Sequence, residues 1–288
     1  MMSIVAVVGA GELGGTLAHK LAVRQRFSEI RLIDPTAYDL ASGKALDITQ
    51  ASSLDGFDTS VIASDTLEAT VDASVVVLAD LVGNLNVKNK NDNLLATLKQ
   101  LSQLVSKSVI VCPDDPTGLL IESSVRDLGI PKDRILGTAP GALVSTLQAL
   151  VALEAGGSAT DVSVSVLGFP PDHLIVQWNE MTLGGHRIED ILSPLQVARL
   201  RNRIQALWPP GPYALASSCT RVCEAITDGS RRIFYCFVSL DGEFGARGSA
   251  ISMPVYLGKN GVERILKPSL SVNEKVQLEN ALEHRAPF

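Results

Sequence analysis

Gly9, Gly11 and Gly14 have the spacing of a phosphate-binding turn. They follow the buried-type run Val5-Ala6-Val7-Val8 and lead into Thr16–Ala22, where Leu17 and Leu21 share a helical face. In that setting each glycine has a physical task. Gly9 permits the tight turn, Gly11 lets a pyrophosphate approach the backbone, and Gly14 lets the helix lie close to the strand. The free N–H groups and positive dipole end of the helix then face the phosphates. Twenty residues beyond Gly14, the stretch Arg31-Leu32-Ile33-Asp34 ends a second strand on an acid. A carboxylate there hydrogen-bonds the ribose hydroxyls of NAD and repels the extra phosphate of NADP. These residues, with Glu12 and Leu13 in the same turn, are the expected cofactor-binding set, and NAD(H) is the expected ligand.

The bulk properties narrow the partners. Among 288 residues, 46% are hydrophobic, enough for a large core, and the net charge of −6 argues against a nucleic-acid partner. The N-terminus has no basic segment, and the apolar run Ile4–Val8 is too short for a membrane span or a signal peptide. A soluble cytoplasmic protein with no membrane partner is expected. Cys112, Cys219, Cys223 and Cys236 have no zinc-like spacing and read as buried free thiols, so no metal site is expected.

The elements that position the turn follow in order. A helix passes through Leu40, Ala41, Ala45, Leu46 and Ile48, and Thr59–Ala63 and Asp72–Ala79 read as strands. Gly83 to Asn93 reads as a long polar loop, then Leu94–Val105 returns to helical spacing. Ser108–Cys112 is a strand, Leu119–Leu128 a helix and Arg134–Gly137 a short strand. This alternation predicts an α/β fold with a Rossmann doubly wound parallel sheet. The second half reads as α+β. Leu143–Leu153 is an apolar helix, and Asp161–Leu167 and His173–Trp178 are strands joined by Gly168-Phe169-Pro170-Pro171-Asp172. Helices follow at Pro194–Leu207 and Tyr213–Ile226, antiparallel strands at Arg232–Leu240 and Ala250–Leu257, and a closing helix at Asn273–Glu283. The expected division is 1–138 for the nucleotide lobe and 139–288 for the second lobe.

The whole chain resembles the lactate/malate dehydrogenase superfamily. The match rests on Val8–Gly14, on Asp34 with Gly43-Lys44-Ala45-Leu46-Asp47, on Asp241-Gly242-Glu243-Phe244-Gly245, and on Ser252–Val255 with Leu257–Glu263. The resemblance implies a Rossmann lobe and a substrate-type lobe, NAD as cofactor, and a homodimer or homotetramer. The apolar helices around Leu143–Leu153 and Tyr213–Ile226 are consistent with such an assembly.

The same match implies that the family's chemistry is missing. Enzymes of this family move a hydride between nicotinamide and a 2-hydroxy acid, using a histidine, an aspartate that orients it, and arginines that clamp and enclose the substrate. Pro170 stands at the histidine position, Leu143 at the aspartate and Thr146 at the clamping arginine. Gly83 and Asn89 stand where the loop arginines fall. Cys112, before Pro113, replaces an asparagine near cofactor and substrate. Asp80, after Ala79, replaces a glycine at which the backbone approaches the cofactor, which raises the question of whether its side chain blocks the nicotinamide. Ala79 and Cys112 complete the expected cofactor-binding set, and no catalytic residue is assigned.

Other groups carry two readings each. His173 is a substitute acid or a surface histidine, and strand alternation would turn it away from Pro170. Asp172 is a site acid or a turn cap. Asp114 and Asp115 hold a cation or basic substrate, or form a turn before Pro116. Lys88 and Lys90 replace the arginine charge or are solvated, and His186 reads as a turn residue. Three functions compete: a nucleotide-binding protein of dehydrogenase fold without dehydrogenase activity, an NAD-dependent oxidoreductase with a rewired site, and a structural subunit of an oligomer.

Overall fold

A computed structural model describes residues 3–81, 87–114 and 117–283, with the backbone alone at 87–92 and 117. The first half alternates strand and helix: β1 (Ser3–Val8), α1 (Glu12–Val23), β2 (Phe27–Ile33), α2 (Tyr38–Asp55), β3 (Ser60–Ser64), β4 (Val75–Leu78), α3 (Val87–Leu104), β5 (Val109–Cys112), α4 (Thr117–Leu128) and β6 (Ile135–Gly137). These strands are parallel, in the order β3-β2-β1-β4-β5-β6. Val5–Val8, Val75–Leu78 and Val109–Cys112 are all buried, which is why they read as unbroken apolar runs rather than alternating ones. The chain order reverses between β1 and β4. The crevice at the C-terminal ends of those two strands is where ligands bind in such sheets.

The second half comprises α5 (Ala139–Ala155), β7 (Val162–Ser163), β8 (Val166–Phe169), β9 (His173–Val176), β10 (Thr182–Leu183), β11 (His186–Arg187), α6 (Ile188–Ile191), α7 (Pro194–Arg203), α8 (Pro212–Asp228), β12 (Ile233–Asp241), β13 (Arg247–Gly258), β14 (Gly261–Ile265) and α9 (Val272–Glu283). The large sheet continues into this half. β12 joins β6 antiparallel at Phe237 and Gly137, and β13, β8 and β9 follow, all antiparallel, with β14 on β13. β7, β10 and β11 form a separate three-stranded sheet. One apolar core runs along the large sheet, through Leu17, Leu21, Leu32, Leu98 and Ile121. A second gathers Leu143, Leu147, Val166, Met181 and Leu200. Each such side chain contributes about 1.5–3 kcal/mol on burial. Among the described residues no helix is long and apolar enough to cross a membrane.

Several local expectations are corrected. The polar stretch expected as a loop from Gly83 to Asn93 is helical from Val87, because three apolar positions at Leu94, Leu98 and Leu101 anchor α3 and the helix extends back from them. The remainder of that stretch, including Gly83, lies outside the described residues, as do Asp115, Pro116 and the side chains of Lys88, Asn89 and Lys90. Asp161–Leu167 is not one strand. It is divided into β7 and β8, which belong to different sheets. His186 is not in the turn: Gly184 and Gly185 form it with positive φ, and His186 pairs with Leu183. The apolar helix faces offered for oligomer contacts are largely turned inward. Leu215, Ala216, Cys219, Val222 and Ile226 of α8 and Leu143, Leu147 and Val151 of α5 are buried within the chain.

Candidate functional site

The glycine turn sits between β1 and α1 at the point where the strand order reverses. Gly9 has φ +112°, a backbone conformation that L side chains rarely adopt, so only glycine turns here without strain. A Cβ on Gly14 would collide with the Gly9 carbonyl oxygen, so the first turn of α1 can lie against the strand end only with glycine there. Gly11 is the residue that precedes α1, and having no side chain it cannot cap the helix.

The N–H groups of Gly9, Ala10, Gly11, Leu13 and Gly14 have acceptors inside the protein. Gly9 donates to the Ile33 carbonyl at 2.7 Å and Gly11 to the Asp80 carbonyl at 3.1 Å. Ala10 donates to Asp34 Oδ2 at 3.0 Å. Leu13 donates to Asp80 Oδ2 at 2.9 Å and Gly14 to Asp80 Oδ1 at 2.7 Å. The Asp80 carboxylate therefore caps α1 from a different segment of the chain. It satisfies orphan donors of the first turn and lies at the positive end of the helix dipole. Lys44, on α2, reaches over the same turn and donates from Nζ to the carbonyls of Ala10 at 2.8 Å and Gly11 at 2.6 Å.

Asp34 follows β2, directly beside the turn, but its side chain is 0% exposed. Its Oδ1 accepts from the Thr36 N–H at 3.0 Å, the Thr36 hydroxyl at 2.8 Å and the Ala37 N–H at 3.1 Å. With Oδ2 on Ala10, the carboxylate ties the β1–α1 turn to the β2–α2 turn. Of the expected set, the structure brings Gly9, Gly11, Leu13, Gly14, Asp34 and Ala79 together at this crevice. Ala79 is held there by a 2.8 Å bond from its N–H to the Val8 carbonyl. Glu12 stands exposed on the first turn of α1. Cys112 ends β5 at the same edge of the sheet, but it is buried, and burial pushes its thiol up to about 12. It therefore stays protonated and apolar at neutral pH.

The positions of the missing chemistry lie in a different setting. Leu143 is 0% exposed and belongs to the second core. The Thr146 hydroxyl donates back to the Ala142 carbonyl at 2.9 Å, within its own helix. Beside Pro170, Phe169 stacks on Phe237 with ring centres 6.4 Å apart, and Trp208 meets Phe237 edge-on at 6.1 Å. Pro170, Pro171 and Asp172 form the turn between β8 and β9, and β9 begins at His173, paired with Phe169. The strand alternation expected to relate Pro170 to His173 therefore does not apply, because Pro170 is not in a strand. Asp114 follows β5 and is half-buried. Among the described residues no three His, Cys, Asp or Glu side chains converge as a metal site.

Two participants escaped the sequence reading: Lys44 as a cross-turn donor, and Asp80 as a helix cap. A signal for Asp80 was present. In a sheet whose order reverses between β1 and β4, the residue after β4 lies opposite the start of the helix that follows β1.

Against known families, residues 3–121 match the lactate/malate dehydrogenase NAD-binding domain, and residues 211–284 match the alpha/beta C-terminal domain of the same family. A malate dehydrogenase of Chlorobium chlorochromatii is 30% identical, over 96% of this chain and 94% of that one. The chain belongs to the lactate/malate dehydrogenase family. The malate dehydrogenase of Salinibacter ruber superposes with a TM-score of 0.89 at 25% identity, covering 98% of this chain and 94% of its own. A Cryptosporidium parvum lactate dehydrogenase, solved with lactic acid and β-nicotinamide adenine dinucleotide, superposes with a TM-score of 0.88 at 22% identity, covering 99% and 96%. The parallel half of this chain is thus the NAD-binding domain of that family, and the Asp80 carboxylate takes the Leu13 and Gly14 N–H groups at the start of its first helix.

Proposed function

We propose that this chain is a NAD(H)-binding member of the lactate/malate dehydrogenase family that does not interconvert 2-hydroxy and 2-keto acids. The Gly9–Gly14 turn and the α1 N-terminus would hold the pyrophosphate, and Ala79 would border the cofactor. The buried Asp34 carboxylate, beside the turn, disfavours a second phosphate on the adenosine ribose. When bound, NAD supplies a hydride acceptor. The residues around it must then supply proton transfer and substrate recognition.

The observation that carries the negative half is that none of the three positions where those groups are expected, Pro170, Leu143 and Thr146, carries an ionisable side chain. A 2-keto acid taking up hydride becomes an alkoxide that must be protonated as it forms. Pro170 has no proton to give, and Leu143, fully buried, offers an imidazolium no partner. Thr146 presents one hydroxyl already donating to Ala142, where a carboxylate needs a two-pronged cationic donor. Loss of general acid–base catalysis alone lowers a rate about 10²–10⁴-fold, or about 3–5 kcal/mol in the barrier.

The test is NADH oxidation with saturating oxaloacetate and, separately, pyruvate, on protein first shown to bind NADH. No turnover above the enzyme-free rate is expected. Turnover near one per second, retained through two unrelated purification columns, would overturn the reading.

The same proposal includes a homodimer or homotetramer, a cytoplasmic setting and a division between lobes at residues 138 and 139. Four buried free cysteines suit a reducing compartment. Outward-facing Leu46 and Leu54 of α2 and Tyr213 of α8, 59%, 89% and 69% exposed, support a protein partner surface.

A further inference from the structure

The Asp80 carboxylate occupies the place where a helix start receives a phosphate. It takes the two N–H groups of Leu13 and Gly14 through its two oxygens, at 2.9 and 2.7 Å. Its fit depends on Gly11, since a Cβ there would collide with the carboxylate. The Asp80 backbone is pinned independently, by the Gly11 N–H on its carbonyl and by the adjoining Ala79 N–H on Val8. The side chain can therefore leave by rotation about Cα–Cβ while the backbone stays in place. Lys44 holds a positive charge over the same turn through the carbonyls of Ala10 and Gly11. The mouth of the site is thus arranged for an anion, and the chain provides its own.

We propose that Asp80 is an internal stand-in for the dinucleotide pyrophosphate, so that NAD(H) enters only by displacing it and the chain's affinity for NAD(H) is held down. The inference rests on the dinucleotide-binding reading above and adds a self-inhibitory contact to it. A phosphate and the carboxylate cannot share the Leu13 and Gly14 donors, and two like charges at hydrogen-bonding distance of the same N–H groups repel. A cap of this kind corresponds to about twofold to thirtyfold in an equilibrium constant. Like-charge repulsion adds to that figure.

The test compares wild type with Asp80→Gly, which removes the side chain, and Asp80→Asn, which keeps its volume without the charge. NADH, ADP-ribose and adenosine are titrated by calorimetry, and the melting temperature of each ligand-free protein is recorded. Asp80→Gly is expected to bind NADH and ADP-ribose roughly tenfold more tightly than wild type while the ligand-free protein melts at a lower temperature. Asp80→Asn is expected to fall between, and it carries the test if the glycine variant does not fold. Adenosine, which has no phosphate, should gain nothing. Wild type that binds NADH, with both variants binding no tighter, would overturn the inference and leave the dinucleotide reading standing. An equal gain for adenosine would also overturn it, since the change would then be a general loosening. If neither wild type nor variants bind NADH or ADP-ribose at millimolar concentration, both the reading and the inference fall.

Discussion

Replacing Asp34 tests whether its carboxylate is a structural tie between two turns. The side chain is fully buried and accepts from three backbone N–H groups and one hydroxyl, at 2.8–3.1 Å. In Asp34→Ala these donors lose their acceptor, and the Ala10 N–H lies where water has little access. A buried donor left unsatisfied costs about 1–3 kcal/mol, and the four contacts share one carboxylate, so their costs do not simply add. We expect Asp34→Ala to lose about 3–5 kcal/mol. Asp34→Asn can keep an oxygen toward Thr36 and Ala37 but turns an NH2 toward the Ala10 N–H. Donor then faces donor at one contact, and a loss of about 1–3 kcal/mol is expected. For a chain of this size 1 kcal/mol moves the melting temperature by about 2 °C, so shifts of roughly 6–10 °C and 2–6 °C follow. Urea unfolding of the ligand-free proteins at pH 7 measures the free energies, and Thr36→Val in a double-mutant cycle isolates the hydroxyl contact. An alanine variant within about 0.5 kcal/mol of wild type would refute the tie. An asparagine variant as unstable as alanine would refute the atom-by-atom assignment.

Three further outcomes are expected. The four cysteines are buried, so the native protein should resist a disulfide reagent at pH 8 and react at all four thiols once unfolded; rapid labelling of the native chain would contradict this. Burial raises the Cys112 thiol from 9.0 to about 12 and pushes Cys219 and Cys236 up as well. The native state thus holds these protons after the unfolded chain has begun to release them. Their stabilising contribution is complete below pH 9 and declines as pH rises toward 12, by about 2 kcal/mol for Cys112 between pH 9 and 10.5. Urea midpoints at those two pH values check it, and a Cys112→Ala variant with an undiminished pH slope would count against that assignment. For the oligomer, sedimentation at micromolar concentration should give a dimer or larger species, and monomer alone would overturn that proposal.

The nucleotide half was legible in the sequence because its signals are local. A buried parallel strand reads as an apolar run, a turn that needs positive φ reads as Gly9, and a helix face reads as Leu17 and Leu21 at spacing four. Those features, with the acid at Asp34, gave the fold of this half; the family resemblance rested on them together with Gly43–Asp47, Asp241–Gly245, Ser252–Val255 and Leu257–Glu263, and both agree with the comparisons. Pairing between distant segments was not legible. The division of Asp161–Leu167 between two sheets depends on partners far along the chain, Leu183 for β7 and Ser252 for β8. The inward burial of α5 and α8 likewise depends on what lies against them, since apolar spacing marks a face without naming its partner. The direction of the carboxylates was decided by tertiary structure alone. Sequence places Asp34 and Asp80 at the C-terminal ends of two strands, where a ligand site belongs. Only the folded chain turns Asp34 inward onto Ala10, Thr36 and Ala37, and swings Asp80 across sixty-six residues of sequence onto Gly14. The physical reason is that orphan N–H groups at a turn or helix start take whichever acceptor the fold brings within reach, and sequence spacing does not say which one arrives.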